Sequence, residues 1–157
     1  MLQSKVLKTM PIGSAGKIYK SEHSFLNTVE RLPISDVTVG AFVQKGTLEN
    51  EVTEATGQAI TADIIGVVVK NELINSLTDT AVYPKGKPVT IVTEGNIFIA
   101  TSAIAVQGQY VFLKTADGTL AFGNTATLAD HTYTGFRVDI GNATAAAGII
   151  GITSSRA

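Results

Sequence analysis

Any chemistry in this chain has to start from a short supply of ionisable and nucleophilic side chains. Its two histidines, His23 and His131, stand in Ser-Glu-His-Ser and Ala-Asp-His-Thr. Neither belongs to an H-x-H or H-E-x-x-H spacing, so no set of ligands converges on a metal from the sequence. Glu49, Glu51 and Glu54 are close enough along the chain to suggest a carboxylate pair of the glycosidase kind. They lie in Leu48-Glu-Asn-Glu-Val-Thr-Glu-Ala, however, a run that reads as a solvated hairpin tip. Gly13-Ser-Ala-Gly16-Lys17 has the composition of a phosphate loop but not the G-x-x-x-x-G-K-[ST] spacing, and no strong helix follows it. Hydroxyl residues are scattered, with no G-x-S-x-G elbow to activate one. Asp117 precedes Gly118, where turn chemistry alone accounts for it. There is no cysteine, which removes disulfides, thiolate ligands and a catalytic thiol together. With no Trp, four Tyr and six Phe, stacking platforms for sugars or single strands are poorly supplied. The expectation is a protein that is not an enzyme, with no catalytic residue, cofactor, metal or small-molecule substrate.

What such a chain builds is legible in its composition. Val, Ile and Thr number 15, 15 and 20 of 157 residues. Branching at Cβ restricts χ1 in helices and suits a pleated surface, so the fold should be mostly strand. Charged residues make up 16% of the chain, against roughly 25% in ordinary soluble domains. Either much of the surface is covered by partners, or hydroxyls solvate it instead. The net charge of −1 comes from 12 basic and 13 acidic residues without a basic run, so neither a nucleic acid nor an anionic membrane is expected as a partner. No apolar run approaches a membrane span, and the first ten residues lack the apolar stretch of a signal peptide. Synthesis and use in the cytoplasm are expected.

Along the chain, residues 1–30 mix Pro, Gly and scattered apolar side chains without a sustained period and read as an extended arm. Residues 31–157 read as one β-domain of short strands between Gly, Asn and Asp. Val37 to Val43 alternates around Gly40, and Ile64-Ile-Gly-Val-Val-Val69 suits a strand buried on both faces. Pro88–Thr93 and Ile97–Ala100 predict a hairpin about Glu94-Gly-Asn96; Gln109–Lys114 and Thr119–Phe122 predict another about Asp117-Gly118. Phe136–Ile140 and Ile149–Thr153 complete the set. Glu72–Asp79 and Asn124–His131 allow one or two helical turns each. Eight or more short strands predict an all-β fold, a small β-barrel or β-sandwich, with the arm extending from it.

Taken in order, several of these motifs resemble one family. They are Gly13-Ser-Ala-Gly16-Lys-Ile18, Gly40-Ala-Phe-Val43, Ile65-Gly-Val-Val68, Tyr83-Pro-Lys-Gly86-Lys-Pro-Val89-Thr-Ile91, Glu94-Gly95-Asn-Ile-Phe-Ile99, Gly108-Gln-Tyr-Val111 and Asp117-Gly-Thr-Leu-Ala-Phe122. Across roughly residues 11–153 the chain resembles the structural cement (capsid decoration) proteins of tailed phages. The resemblance implies a small β-domain on the capsid exterior of the virion, made in the host cytoplasm, with the major capsid protein as partner. It also implies self-association, as a homotrimer or a dimer, and no catalytic residues. Within that reading the arm lies across a neighbouring subunit, with Ile12, Ile18, Tyr19, Phe25 and Leu26 as its partner-binding anchors. The competing structural role is a tail-tube or head–tail joining subunit. A β-barrel enzyme or ligand-binding domain would need a concave pocket with convergent carboxylates.

Overall fold

The computed structural model describes residues 15–19, 26–70, 82–142 and 148–154. Eleven strands carry the fold, and no helix occurs among the described residues. In chain order they are β1 (Asn27–Pro33), β2 (Val37–Thr38), β3 (Phe42–Lys45), β4 (Glu51–Glu54), β5 (Ile64–Val68) and β6 (Val82–Tyr83). Then come β7 (Val89–Thr101), β8 (Tyr110–Lys114), β9 (Leu120–Gly123), β10 (His131–Ile140) and β11 (Gly148–Ser154). β1 thus begins before residue 30 and crosses the division suggested by composition.

Five strands close into a ring. Their order is β1-β4-β3-β5-β7, and β7 pairs back onto β1. The closing contact between β1 and β4 is parallel and short, Leu32 opposite Glu51 and Pro33 opposite Val52. Pro33 is tolerated there because the amides on either side, Leu32 N and Ile34 N, make the bonds to the Asn50 and Val52 carbonyls at 2.8 and 3.0 Å. β7 then continues beyond the ring and pairs with β11, so that β11-β10-β8-β9 extends the sheet on the far side. The expected hairpin about Glu94-Gly-Asn96 is therefore not formed: residues 89–101 are one continuous strand. Its first half pairs with β1 and β5 and its second half with β11. Gly95, at φ 137°, sits where the change of partner occurs, and a complete ladder on both sides outweighs the local turn signal. The Asp117-Gly118 turn forms as expected between β8 and β9.

The two layers explain the runs of β-branched residues. One apolar cluster, with Val37, Val43, Val52, Val68, Val89 and Ile91, fills the ring. A second lies between the ring and the extension, with Phe42, Val67 and Val92 facing Ile97, Ile99, Val111, Leu113, Phe136, Val138, Ile150 and Ile152. Adjacent residues divide between the clusters: Phe42 from Val43, Val67 from Val68, Val92 from Ile91. Side chains alternate across a strand, so β3, β5 and the first half of β7 are buried on both faces.

Of the polar residues buried among the described ones, Gln44 organises a loop. Gln44 is 3% exposed, and its Oε1 accepts from Thr61 N and Ala62 N at 2.8 and 3.1 Å. Its Nε2 donates to Ala59 O at 2.9 Å. The side chain thus supplies bonds that the irregular loop after β4 cannot find in a ladder. Gln44→Leu removes these bonds, and because Thr61 is exposed and Ala62 half-buried, water recovers part of the loss, leaving about 1–3 kcal/mol in all. A fall of that size in unfolding free energy, read from urea denaturation, is expected.

Candidate docking surface

The sequence motifs that could do chemistry are dispersed by the fold. Glu51 and Glu54 are three residues apart on one strand and face opposite ways, so they make no carboxylate pair. Glu51 Oε2 accepts from Leu48 N at 3.1 Å and caps the hairpin tip. Burial raises the pKa of Glu54, against the opposing hydrogen bonds from Thr38. Gly16 N donates to Phe98 O and Gly16 O accepts from Lys70 N, both at 2.8 Å, so this amide is not free to cradle a phosphate. His131 Nδ1 donates to Ala129 O at 2.7 Å, and His23 lies outside the described residues. No cluster of three or more His, Asp or Glu occurs among the described residues. An open cleft of about 350 Å³ lies between Thr56, the end of β7 and the β8–β9 turn; its lining of Thr, Gly, Ala, Ser and Leu holds no ionisable group.

Of the five arm anchors, three lie in described segments. Ile18 forms an antiparallel bridge with Ile97, on the edge of β7 opposite Ile152 of β11, and packs on the chain's own core. Tyr19 follows it, with Tyr19 N donating to Asn96 O at 3.1 Å. Its ring stacks on Phe98, centroids 4.5 Å apart, and lies over Gly151, where a Cβ would come within 2.6 Å of the hydroxyl. The Tyr19 hydroxyl donates to Asp139 Oδ2 at 2.8 Å. Asp139 reaches it from a register shift between β10 and β11. Leu26 is 54% exposed, while Ile12 and Phe25 lie outside the described residues.

This latch carries a pH dependence. Burial first, then the hydrogen bond and negative charge of Asp139, push the Tyr19 hydroxyl well above the ordinary value of 10.0. The folded state holds that proton more tightly than the unfolded chain. The stabilisation is therefore complete below pH 10.0 and declines as pH rises above it. Tyr19→Phe is expected to lower the melting temperature at neutral pH and to flatten the alkaline limb. The difference between the two melting curves should shrink above pH 10.0, which thermal denaturation from neutral to strongly alkaline pH measures.

Apolar side chains remain on the outside. Leu48, Ile104, Val106, Val82 and Ile34 are each more than two-fifths exposed. A more organised surface covers the outer side of β8 and β10. Val111 and Leu113 point into the core, so Tyr110, Phe112 and Lys114 face outward. Tyr133 stands opposite Phe112, Arg137 opposite Tyr110, and His131 opposite Lys114. The Tyr133 ring meets Tyr110 edge-on at 5.5 Å and Phe112 at 5.7 Å, and the Arg137 guanidinium lies 4.4 Å from the Tyr110 centroid. Sequence reasoning passed over these residues, because Tyr-Val-Phe-Leu is an unbroken apolar run that conceals which positions face outward.

A family model described as "Structural cement protein (E217 gp24/Pam3 gp6)" matches residues 2–154. No curated protein matches. Among solved structures, a chain of "The capsid of Myoviridae Phage XM1" superposes with a TM-score of 0.66 at 11% identity, covering 99% of this chain and 98% of that one. At that identity the likeness is one of fold.

Proposed function

The chain belongs to the phage structural cement protein family, and from that premise we propose that it binds the outer surface of the assembled capsid. There it stabilises contacts between neighbouring major capsid proteins. The observation that carries this reading is a family match over nearly the whole chain, residues 2–154. The low charge and the exposed apolar side chains support it. The role is one of contact, with no catalysis and no cofactor. A subunit that binds the assembled, expanded lattice and not the free capsid protein shifts the equilibrium toward the intact shell by mass action. Self-association, as a homotrimer or a dimer, multiplies individually weak contacts into avidity.

Co-sedimentation of the purified protein with expanded capsids that lack it, beside unassembled capsid protein, tests this reading. The expected result is saturable binding to expanded shells alone and a raised shell-disruption temperature. Absence of shell binding, with rings or tubes formed by the isolated protein, would favour the tail-tube or head–tail role instead. The arm is part of the proposal in a narrower form. Because Ile18 and Tyr19 hold to the chain's own β7, removal of residues 1–20 would strip the barrel as well. Deletion of residues 1–14 is the cleaner variant: it should weaken shell binding with the melting temperature little changed, and unaltered binding would remove the arm from the interface.

A further inference from the structure

Two strand edges face one cleft. Along β7, Asn96 O accepts from Tyr19 N, Phe98 N donates to Lys17 O, and Phe98 O accepts from Gly16 N. Alternate residues of a strand turn their N–H and C=O to the same edge, so Ala100 is next in this series and its groups point away from β11. Among the described residues no hydrogen bond reaches them. Ala100 is exposed and lines the open cleft described above, as does Leu120. Leu120 belongs to β9, the last strand of the sheet. Lys114 N bonds to Thr119 O, so the following rungs between β8 and β9 fall at Ala121 and Gly123, and Leu120 and Phe122 present their backbone groups outward. Those groups also have no further partner among the described residues.

The cleft is built rather than incidental. Gly57 N donates to Gly118 O at 3.0 Å and Ile60 N to Thr115 O at 2.9 Å, which ties the β8–β9 turn to the loop after β4. Gly118 sits there so tightly that a Cβ would stand 2.1 Å from Ala55 O. These ties hold the start of β9 at its distance from β7. Leu120 and Phe122 pack on the core with one side and stay only half-buried. β9 reads Leu-Ala-Phe-Gly and carries none of the usual guards against strand addition: no charge, no proline and no bulge. Two unpaired backbone edges beside a lining without an ionisable group suit an extended, uncharged stretch of chain.

We propose that this cleft receives the N-terminal segment of a second copy of the chain, residues 9–14, as an added strand. The inference rests on the self-association in the reading above and names the site where one subunit grips the next. Residues 1–14 lie outside the described residues; tethered at Ala15, they can reach at most about 46–50 Å, enough to cross to a neighbour. Thr9-Met-Pro-Ile-Gly-Ser14 carries no charge, in keeping with the lining, and its Pro and Gly disfavour a helix. The point of attachment selects the neighbour over the same chain. Gly16 has φ 81° and turns the chain off β7, so that Ala15 is buried against Gly40 while Gly16 O accepts from Lys70 N. The chain's own segment would have to reverse at once to lie on Ala100. An arm arriving from another subunit has no such turn to make.

The chain has no cysteine, so introduced thiols report without background. Ile12→Cys and Ala100→Cys are made as separate variants, with Leu48→Cys on the hairpin tip as control and melting curves to verify folding. Under mild oxidation, a mixture of Ile12→Cys and Ala100→Cys chains should yield a disulfide-linked pair with one chain of each kind, identified by mass spectrometry. Ile12→Cys mixed with Leu48→Cys should not. Alkylation of Ala100→Cys should be slower in the full-length protein than after deletion of residues 1–14. An Ile12→Cys/Ala100→Cys double variant that closes only an internal disulfide gives the cleft to the chain's own segment, and the proposal falls. Protection that appears only on expanded shells and survives the deletion gives it to the capsid protein, and the proposal falls again. Absence of the mixed pair, both in solution and on shells, overturns it as well. If the mixed pair forms but wild-type protein binds no shell, the cleft stands and the capsid role does not.

Discussion

Gly66→Ala is expected to prevent folding. Gly66 lies in β5 beside β7, and a Cβ there would stand 2.0 Å from the Val92 carbonyl oxygen, 2.8 Å from its carbon and 2.9 Å from Ile91 Cγ2. Two of these three obstacles are backbone, which cannot rotate away as a side chain would. Relief requires β5 to separate from β7, and that opens the ring at a strand buried on both faces. The loss should exceed about 4 kcal/mol, a range reached by few single substitutions. Gly57→Ala is the informative control. Gly57 has φ 78° and open space around it, with nothing within 4 Å of the point a Cβ would occupy, so its cost is conformational alone, about 1–2 kcal/mol. Soluble expression and denaturant midpoints of the two variants separate crowding from backbone strain; equal, mild losses would refute the close approach at Gly66.

Phe136→Ala should give the largest loss among variants that still fold. Phe136 is 1% exposed and meets Phe42 edge to face, with centroids 5.7 Å apart and an interplanar angle of 74°. This contact joins β10 of the extension to β3 of the ring across the larger core cluster. Truncation removes the apolar transfer energy, leaves a cavity and breaks the aromatic pair, together about 3–5 kcal/mol. For a chain of this size that is a fall in Tm of roughly 6–20 °C. Phe136→Leu, which refills most of the space, should recover most of the loss, and calorimetry on the two variants checks both statements.

Where the sequence was readable, burial made it so. Ile64–Val69 and Ile149–Thr153 are β-branched because β5 and β11 lie at the centre of the sheet, and Asp117-Gly118 forms a turn because Asp117 bonds to Thr119 while Gly118 adopts φ 71°. Glu94-Gly-Asn96 carries the same kind of local signal but lies inside β7, where β1, β5 and β11 supply a continuous ladder that no local rule anticipates. Asn124–His131 allowed a helical turn. Residues 124–130 are all exposed and form bends and a turn leading into β10, with no apolar face to bury. Most of the β8–β10 face was out of reach for another reason. Tyr133 and Arg137 share a face by alternation, and a register shift in the β8–β10 pairing brings Arg137 opposite Tyr110, two residues from Phe112. Only the register reveals that they meet Tyr110 and Phe112.

The sharing of β7 between the ring and the extension has a consequence for the chain as it leaves the ribosome. Every strand of the ring has been made once Thr101 emerges, but the strands that cover its flank extend to Ser154. At about 5–20 residues per second the interval is roughly 3–10 s. Throughout it the nascent barrel shows Phe42, Val67 and Val92 to solvent, with the second half of β7 still lacking β11. That is long compared with hydrophobic collapse and long enough for wrong encounters. Newly made subunits therefore pass through a sticky, half-clothed stage, and it is there that crowding by sister chains on one message, or shelter by a chaperone, decides the yield of usable protein.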